Sequence, residues 1–226
     1  MVLLVCEKPL INSNAVFLGS SSMQLTTYYS HLNGYEWLVH HHPDFWGEIQ
    51  GAISAVDAIA CKTKISKEKT MRGKKLFSPT ALNKAFRDEL GARGWLNAET
   101  NSFYVTDDPS LTNEIIKLPI AEQKERLTSE SKDLIMTSNA ADFEKGKVSI
   151  EVQFGKYSFV QFDLFIKHAA NYMHGRIDLG IEIVPMKSME REMSSGPPYY
   201  EKHLHEILRQ GRIFPPVPLI LIGVDA

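Results

Sequence analysis

The segment that most narrows the fold is the last one. Val217-Pro-Leu-Ile-Leu-Ile-Gly-Val224 is apolar almost without interruption. A short run of that kind reads as a buried strand covered on both faces. Leu179-Gly-Ile-Glu-Ile-Val184, stopped by Pro185, reads as a second. Lys147-Val-Ser-Ile-Glu-Val-Gln-Phe154 alternates instead. It places Val148, Ile150, Val152 and Phe154 on one face, and Ser149, Glu151 and Gln153 on the other. Helical spacing fills the intervals. Pro43-Asp44 opens a helix with Trp46, Ile49, Ile53, Val56 and Ala60 at steps of three and four. Ser78-Pro79 caps another, with Leu82, Ala85, Phe86 and Leu90 inside and Gly91 and Gly94 at its end. A polar helix is expected from Ile120 to Met136, and a short strand at Phe103-Tyr-Val105. A helix from Ser158 to His174 carries an apolar stripe of Phe162, Phe165, Ile166, Ala169, Ala170 and Met173. A last helix contains Tyr200, Leu204, Ile207 and Leu208. The expected class is α/β, a central mixed β-sheet flanked by helices.

A chain of 226 residues, 43% hydrophobic and 23% charged, suits one globular core. The run Ser20-Ser-Ser22 before Met23 suggests an N-terminal extension over 1–22 and a single domain over 23–226. Cys6 and Cys61 make no disulfide framework and read as two reduced thiols. No apolar run approaches the ~20 residues of a membrane span. The opening Met1-Val-Leu-Leu-Val-Cys6 is too short for a signal-peptide core, so the expected compartment is the cytoplasm. The formal net charge of −2 is unremarkable, but its distribution is not. Between Cys61 and Gly94, Lys62, Lys64, Lys67, Lys69, Arg72, Lys74, Lys75, Lys84, Arg87 and Arg93 stand against Glu68, Asp88 and Glu89, a net +7. Such a patch serves either as a phosphate-binding face or as a solvated lysine-rich loop.

The alternating strand carries the chemistry. Glu151 and Gln153, two residues apart, point the same way. The turn Glu144-Lys-Gly-Lys147 lets Asp142 fold back beside them. Two carboxylates and the backbone carbonyl of Val152 form an oxygen set suited to Mg²⁺, which keeps several waters and needs few protein ligands. The competing reading from spacing alone is a solvated strand face.

Asp142 followed by Glu151-Val-Gln153 resembles the PD-(D/E)xK nuclease pattern in its variant with Gln in place of the motif Lys. More specific segments point the same way. They include Tyr29-Ser-His-Leu-Asn-Gly34, Cys61-Lys-Thr-Lys64, Ser66-Lys-Glu-Lys-Thr70, Ile150-Glu-Val-Gln-Phe-Gly-Lys-Tyr-Ser-Phe159, Glu192-Met-Ser-Ser-Gly196 and Arg209-Gln-Gly-Arg212. From Met23 to the C-terminus they resemble the type II restriction endonucleases of the BstYI group and, more distantly, of the BglII group. The resemblance implies a restriction-endonuclease-like core and a homodimer that cuts double-stranded DNA with Mg²⁺. It also implies a GATC-centred palindrome cut before the G, leaving a 5′ overhang. Asp142 and Glu151 match the metal ligands, and Gln153 matches the third active-site position. Lys156 and Ser195, with Ser194 beside it, match positions that read the outermost base pair. The strict AGATCT reader carries Asn where this chain has Lys156. A lysine donates to N7 of either purine, which favours RGATCY. Lys62, Lys64, Arg209 and Arg212 are then candidate phosphate contacts, and a companion DNA methyltransferase encoded nearby is expected. The rivals are a non-catalytic sequence-specific DNA-binding dimer and a repair-type nuclease of the same superfamily.

Other residues carry blander readings. His40-His-His42 reads as a structural turn, Asp107 and Asp108 as turn residues before Pro109, His168 as a packed histidine and Asp163 as a helix-surface acid.

Overall fold

The computed structural model describes residues 21–96 and 101–226. In chain order it runs β1 (Gln24–His31), α1 (Gly34–His41), α2 (Pro43–Ala55), β2 (Lys64–Ile65), β3 (Lys75–Leu76), α3 (Pro79–Gly91), β4 (Asn101–Val105), α4 (Pro109–Ile115), α5 (Ile120–Ser129), β5 (Ile135–Asn139), β6 (Phe143–Lys145), β7 (Val148–Val152), α6 (Tyr157–Phe162), one π-helical turn (Asp163–Lys167), α7 (His168–Met173), β8 (Leu179–Pro185), α8 (Lys187–Glu190), α9 (Tyr200–Arg209) and β9 (Leu219–Asp225).

The three strands marked by their apolar residues form the centre of a five-stranded sheet of order β1-β9-β8-β7-β6. β7, β8 and β9 are mutually parallel, and β1 and β6 close the edges antiparallel. The sheet is therefore mixed, with helices against both faces, as the pattern predicts.

Period-two alternation sorts the core. Ile220, Ile222 and Val224 of β9 join a large cluster with Leu38, Ile53, Phe86 and Phe154. Leu219 and Leu221 join a smaller one with Val160, Leu164 and Ile207 on the opposite face. Val148, Ile150 and Val152 of β7 all belong to the large cluster. Ser149 and Glu151 thus face α6, the π turn and α7 across the other side of the sheet.

Several local expectations change. β1 carries no clear signal, because Gln24-Leu-Thr-Thr-Tyr-Tyr-Ser-His31 is an edge strand whose residues are mostly half-buried. α2 stops at Ala55, short of Ala60, where Asp57 accepts a hydrogen bond from the Ala60 N–H at 2.9 Å and turns the chain. The helix expected to reach Met136 ends at Ser129, and Ser131 takes a left-handed φ of 53°. Ile135–Asn139 then pairs with β4 as a second small sheet. The Asp107-Asp108 turn proves to be a helix start: Asp108 accepts from the N–H groups of Ser110 and Leu111 at 2.9 and 3.1 Å and caps α4. His40 and His41 lie in the last turn of α1 rather than in a turn, and His42 stacks on Phe45 with ring centroids 4.4 Å apart. The first part of the basic window, from Lys64 to Leu76, forms the hairpin β2–β3.

Met23 is fully buried. Ser22 pairs with Asp57, and the carbonyl of Ser21 accepts the Ala58 N–H at 2.7 Å. Residues 21 and 22 thus run alongside the segment that follows α2. The expectations for residues 1–20, including Cys6, fall outside the described residues. Cys61 is a buried free thiol. Among the described residues no helix is long and apolar enough to cross a membrane.

Candidate active site

β6 pairs with β7 through Lys145–Val148, Glu144–Ser149 and Phe143–Ile150, and then gives out. The next residue back, Asp142, does what a further ladder rung would have done. Its Oδ2 accepts the Val152 N–H at 3.0 Å. The turn between the strands depends on left-handed φ values of 55° at Gly146 and 61° at Lys147. Asp142 folds back beside the strand as the spacing predicts. In an extended strand the N–H and C=O of one residue point to the same edge, so the Val152 carbonyl faces the side that Asp142 occupies.

Asp142 is exposed, whereas the Glu151 side chain is only 3% exposed. Glu151 Oε1 accepts a hydrogen bond from Lys167 Nζ at 3.0 Å, and the same ammonium reaches Asp163 Oδ1 at 2.7 Å. Gln153 Oε1 accepts the Gly155 N–H at 2.9 Å, and its side chain also hydrogen-bonds Asp163. A Cβ on residue 155 would stand 2.7 Å from Gln153 Oε1, so the glycine admits the amide. Asp163 is therefore no helix-surface acid: it is buried against the strand and joins Lys167 to Gln153.

Burial, then the charge of Asp163, lift the Glu151 carboxyl to about 8; Lys167 opposes the shift and Asp142 adds to it. Burial also raises Asp163 against the pull of Lys167. Burial alone would lower Lys167, but the two carboxylates outweigh it and hold the ammonium above its ordinary range.

A second layer lies behind. Glu182 of β8 is in register with Glu151 and fully buried. Burial raises its carboxyl well above the ordinary range and lowers His168 to about 3. The 3.6 Å approach of His168 Nε2 to Glu182 Oε2 is thus a contact of two neutral groups, too long for a hydrogen bond. His168 Nδ1 meets Ser149 Oγ at 3.1 Å, and the ring fits because residue 180 has no Cβ, which would lie 2.6 Å from Nδ1. His168 is the packed histidine expected.

The donor set at the strand end is all oxygen: the carboxylates of Asp142 and Glu151 and the Val152 carbonyl. It fits a hard divalent cation that completes its shell with water and phosphate. Among the described residues no three His, Cys, Asp or Glu side chains are grouped to hold a metal alone.

The candidate recognition residues converge on a neighbouring face. Lys156 is exposed where β7 passes into α6, and the next N–H, of Tyr157, donates to the Gly196 carbonyl at 2.8 Å. The N–H and hydroxyl of Ser195 both donate to Glu68 Oε1, at 2.8 and 2.9 Å. Lys64 donates to the Ser194 hydroxyl and Lys62 pairs with Glu192. The β2–β3 hairpin, the 192–196 loop and the end of β7 are thus stitched into one surface. Arg209 instead pairs with Glu206 at 2.7 Å, and Arg212 is exposed beyond α9. Among the described residues no hydrogen bond or ion pair joins either arginine to this surface.

Glu68 and Lys167 carry no flag in the sequence read alone. The only trace is the i,i+4 pair Asp163–Lys167 just after the motif strand. The expected apolar stripe of the same helix is divided: Phe162, Ile166 and Met173 are exposed, as is Phe159 before them, Phe165, Ala169 and Ala170 are half-buried, and Val160, Leu164 and His168 face the sheet.

The family description Restriction endonuclease BglII/BglIII matches residues 26–224. The crystal structure of restriction endonuclease BglII complexed with a DNA 16-mer is similar in fold. Its TM-score is 0.53 at 20% identity, over 87% of this chain and 74% of that one. Free BglII gives a TM-score of 0.50 at 16% identity, over 88% and 79%. No curated protein matches the chain. The family match takes in β6, β7, the π turn and the 192–196 loop, every element that builds the site. The chain belongs to the BglII/BglIII family of restriction endonucleases.

Proposed function

We propose that this restriction endonuclease hydrolyses duplex DNA at RGATCY, before the G, with Asp142 and Glu151 holding Mg²⁺ and Gln153 assisting. The observation that carries the reading is the end of β6, where the Asp142 carboxylate takes over the Val152 N–H and stands beside Glu151. Mg²⁺ bound there would polarise the phosphodiester and lower the pKa of a water. The protein supplies position. Asp142 is fixed by a backbone N–H, Glu151 by Lys167, and Gln153 by Gly155 and Asp163. With its amide held at both ends, Gln153 acts as an orienting group and not as a base.

Lys156 and Ser195 read the outer base pair from adjacent edges of one surface, joined by the Tyr157–Gly196 hydrogen bond. Ser194, Lys62 and Lys64 line the same surface and meet phosphate, while Arg209 and Arg212 contribute from outside it. A palindromic site calls for a two-fold partner. The exposed residues Phe159, Phe162, Ile166 and Met173, 53%, 39%, 53% and 71% accessible, offer an apolar face for a homodimer. The reading places the enzyme in the cytoplasm with a methyltransferase protecting the host's own sites.

Incubation of unmethylated plasmid with Mg²⁺, followed by sequencing of the fragment ends, tests the whole. Cutting is expected at AGATCT, GGATCC and AGATCC; cutting at one of these alone removes the degenerate reading, and a smear removes site specificity. Sedimentation of Ile166→Glu beside the unaltered protein checks the dimer face, with a shift to monomer expected.

A further inference from the structure

We propose that Lys167, anchored by Asp163, is a positioning residue of the cleavage site: its ammonium clamps one oxygen of Glu151 and leaves the other to face the metal. The proposal rests on the assignment of Glu151 to the site. Its own support is the geometry behind the strand.

Glu151 and Gln153 leave β7 on the same side, two residues apart. The π turn answers them with Asp163 and Lys167. Lys167 bonds Glu151, and Asp163 bonds both Lys167 and Gln153, so the four side chains form a chain that the β7 backbone between Glu151 and Gln153 closes into a ring. The ring is interior: the Lys167, Glu151 and Asp163 side chains are 14%, 3% and 5% exposed. Lysine is almost never buried unless paired, and here both of its partners are buried acids. A π turn is rare in a helix and is frequently found at functional sites. This one lies opposite the motif strand.

The ring also assigns the oxygens of Glu151. Oε1 is engaged by Lys167, and the proposal gives Oε2 to the metal. A carboxylate clamped on one oxygen has one orientation to offer with the other. Outer partners of this kind fix a ligand's direction and typically govern metal affinity by about 10–100-fold. A buried ion pair that served only the fold would leave the metal requirement of the folded protein untouched.

The test uses Lys167→Met, Lys167→Arg and Asp163→Asn, each confirmed as folded by its melting transition. Two quantities are read: Ca²⁺ binding to the protein by calorimetry, and the Mg²⁺ concentration giving half the maximal single-turnover cleavage of unmethylated plasmid. Lys167→Met is expected to weaken both by about 10–100-fold. Lys167→Arg, which keeps the charge and can bridge two carboxylates, is expected to restore most of the loss. If Lys167→Met does not fold, Asp163→Asn carries the test, with a smaller shift in the same direction. Unchanged metal dependence in the folded variant overturns the proposal. So does tighter metal binding, which would make Lys167 a competitor of the metal. Glu151→Ala separates the two levels. If that variant cleaves normally, the site assignment itself fails, whatever Lys167 does.

Discussion

The two working regions hold their charges in opposite ways. At the end of β7, Glu151 and Asp163 are sunk into the protein and tied to one another through a single lysine, with Glu151, Asp163 and Lys167 all nearly sealed. On the adjoining face the contacts Lys62–Glu192, Lys64–Ser194 and Glu68–Ser195 lie at the surface and join residues more than 120 positions apart. Buried charge networks are rigid and costly to break, whereas exposed ion pairs contribute little and yield to competing partners. The contrast separates two tasks. On the proposed reading, the cleavage centre is organised before DNA arrives, while the recognition face is held by contacts that phosphates and bases can replace.

The sharpest way to break this contrast is to remove the buried centre. Glu151→Ala is expected to reduce single-turnover cleavage by about 10³-fold or more, because several kcal/mol of charge stabilisation go with it and each 1.4 kcal/mol is a factor of ten. Binding of duplex DNA, which the proposal assigns to the other face, should survive in a gel-shift assay. Equal loss of binding and cutting would mean that the two regions are not separable. Proton linkage gives the next largest effect. The Glu151 carboxyl is raised to about 8, chiefly by burial and the Asp163 charge, so below that pH a proton must leave before the proposed Mg²⁺ can bind. Metal affinity should therefore climb about tenfold per pH unit up to about 8 and then level off. A flat dependence of half-saturating Mg²⁺ between pH 6 and 8 would contradict the burial argument.

What the sequence shows follows the same division. Period-two alternation locates β7, and the apolar runs locate β8 and β9, because each residue's face is dictated by its nearest neighbours in the chain. Asp142, Glu151 and Gln153 are legible for that reason: one strand and one tight turn place all three. Asp163 and Lys167 are not, since their inward direction depends on how the helix after β7 lies across the sheet. The acid read as a surface residue is one of the most buried in the site. Glu68 is hidden for a second reason. Its partner Ser195 lies 127 residues away in a loop without periodicity. β1 is missed because an edge strand with half-buried residues carries little contrast. The early end of α5 turns on one left-handed residue, Ser131, that no local pattern requires.

Stability should also distinguish the buried layer from the face. Burial keeps Glu182 protonated in the folded protein well above the pH at which it ionises in the unfolded chain. Between those two values the folded state binds the extra proton, so stability falls as pH rises. In the metal-free protein Glu182 is expected to lower the melting temperature between pH 5.5 and pH 8, against the buried His31, His168 and His203, whose lowered pKa values favour the higher pH. Glu182→Gln, neutral at every pH, should flatten that slope, whereas Glu68→Gln on the surface should leave it unchanged. A slope identical in Glu182→Gln and the unaltered protein would mean that the acid is ionised in place.

The smallest expected effects belong to single lysines of the hairpin, and they reveal how replaceable the surface contacts are. Lys64 is exposed and spends its ammonium on the Ser194 hydroxyl. That partner is neutral, so a phosphate can take the ammonium at little cost. If it does so in each subunit of a dimer, Lys64→Ala removes two phosphate contacts. The slope of log affinity against log salt should then become shallower by about 1.8, at about 0.9 per contact. Affinity should fall only a few-fold at high salt, where counterion release counts for little. Discrimination between AGATCT and unrelated duplex should persist, since phosphate contacts position the protein and do not read bases. A loss of discrimination without a change in salt slope would place Lys64 at a base edge, and would move the hairpin from holding the DNA to reading it.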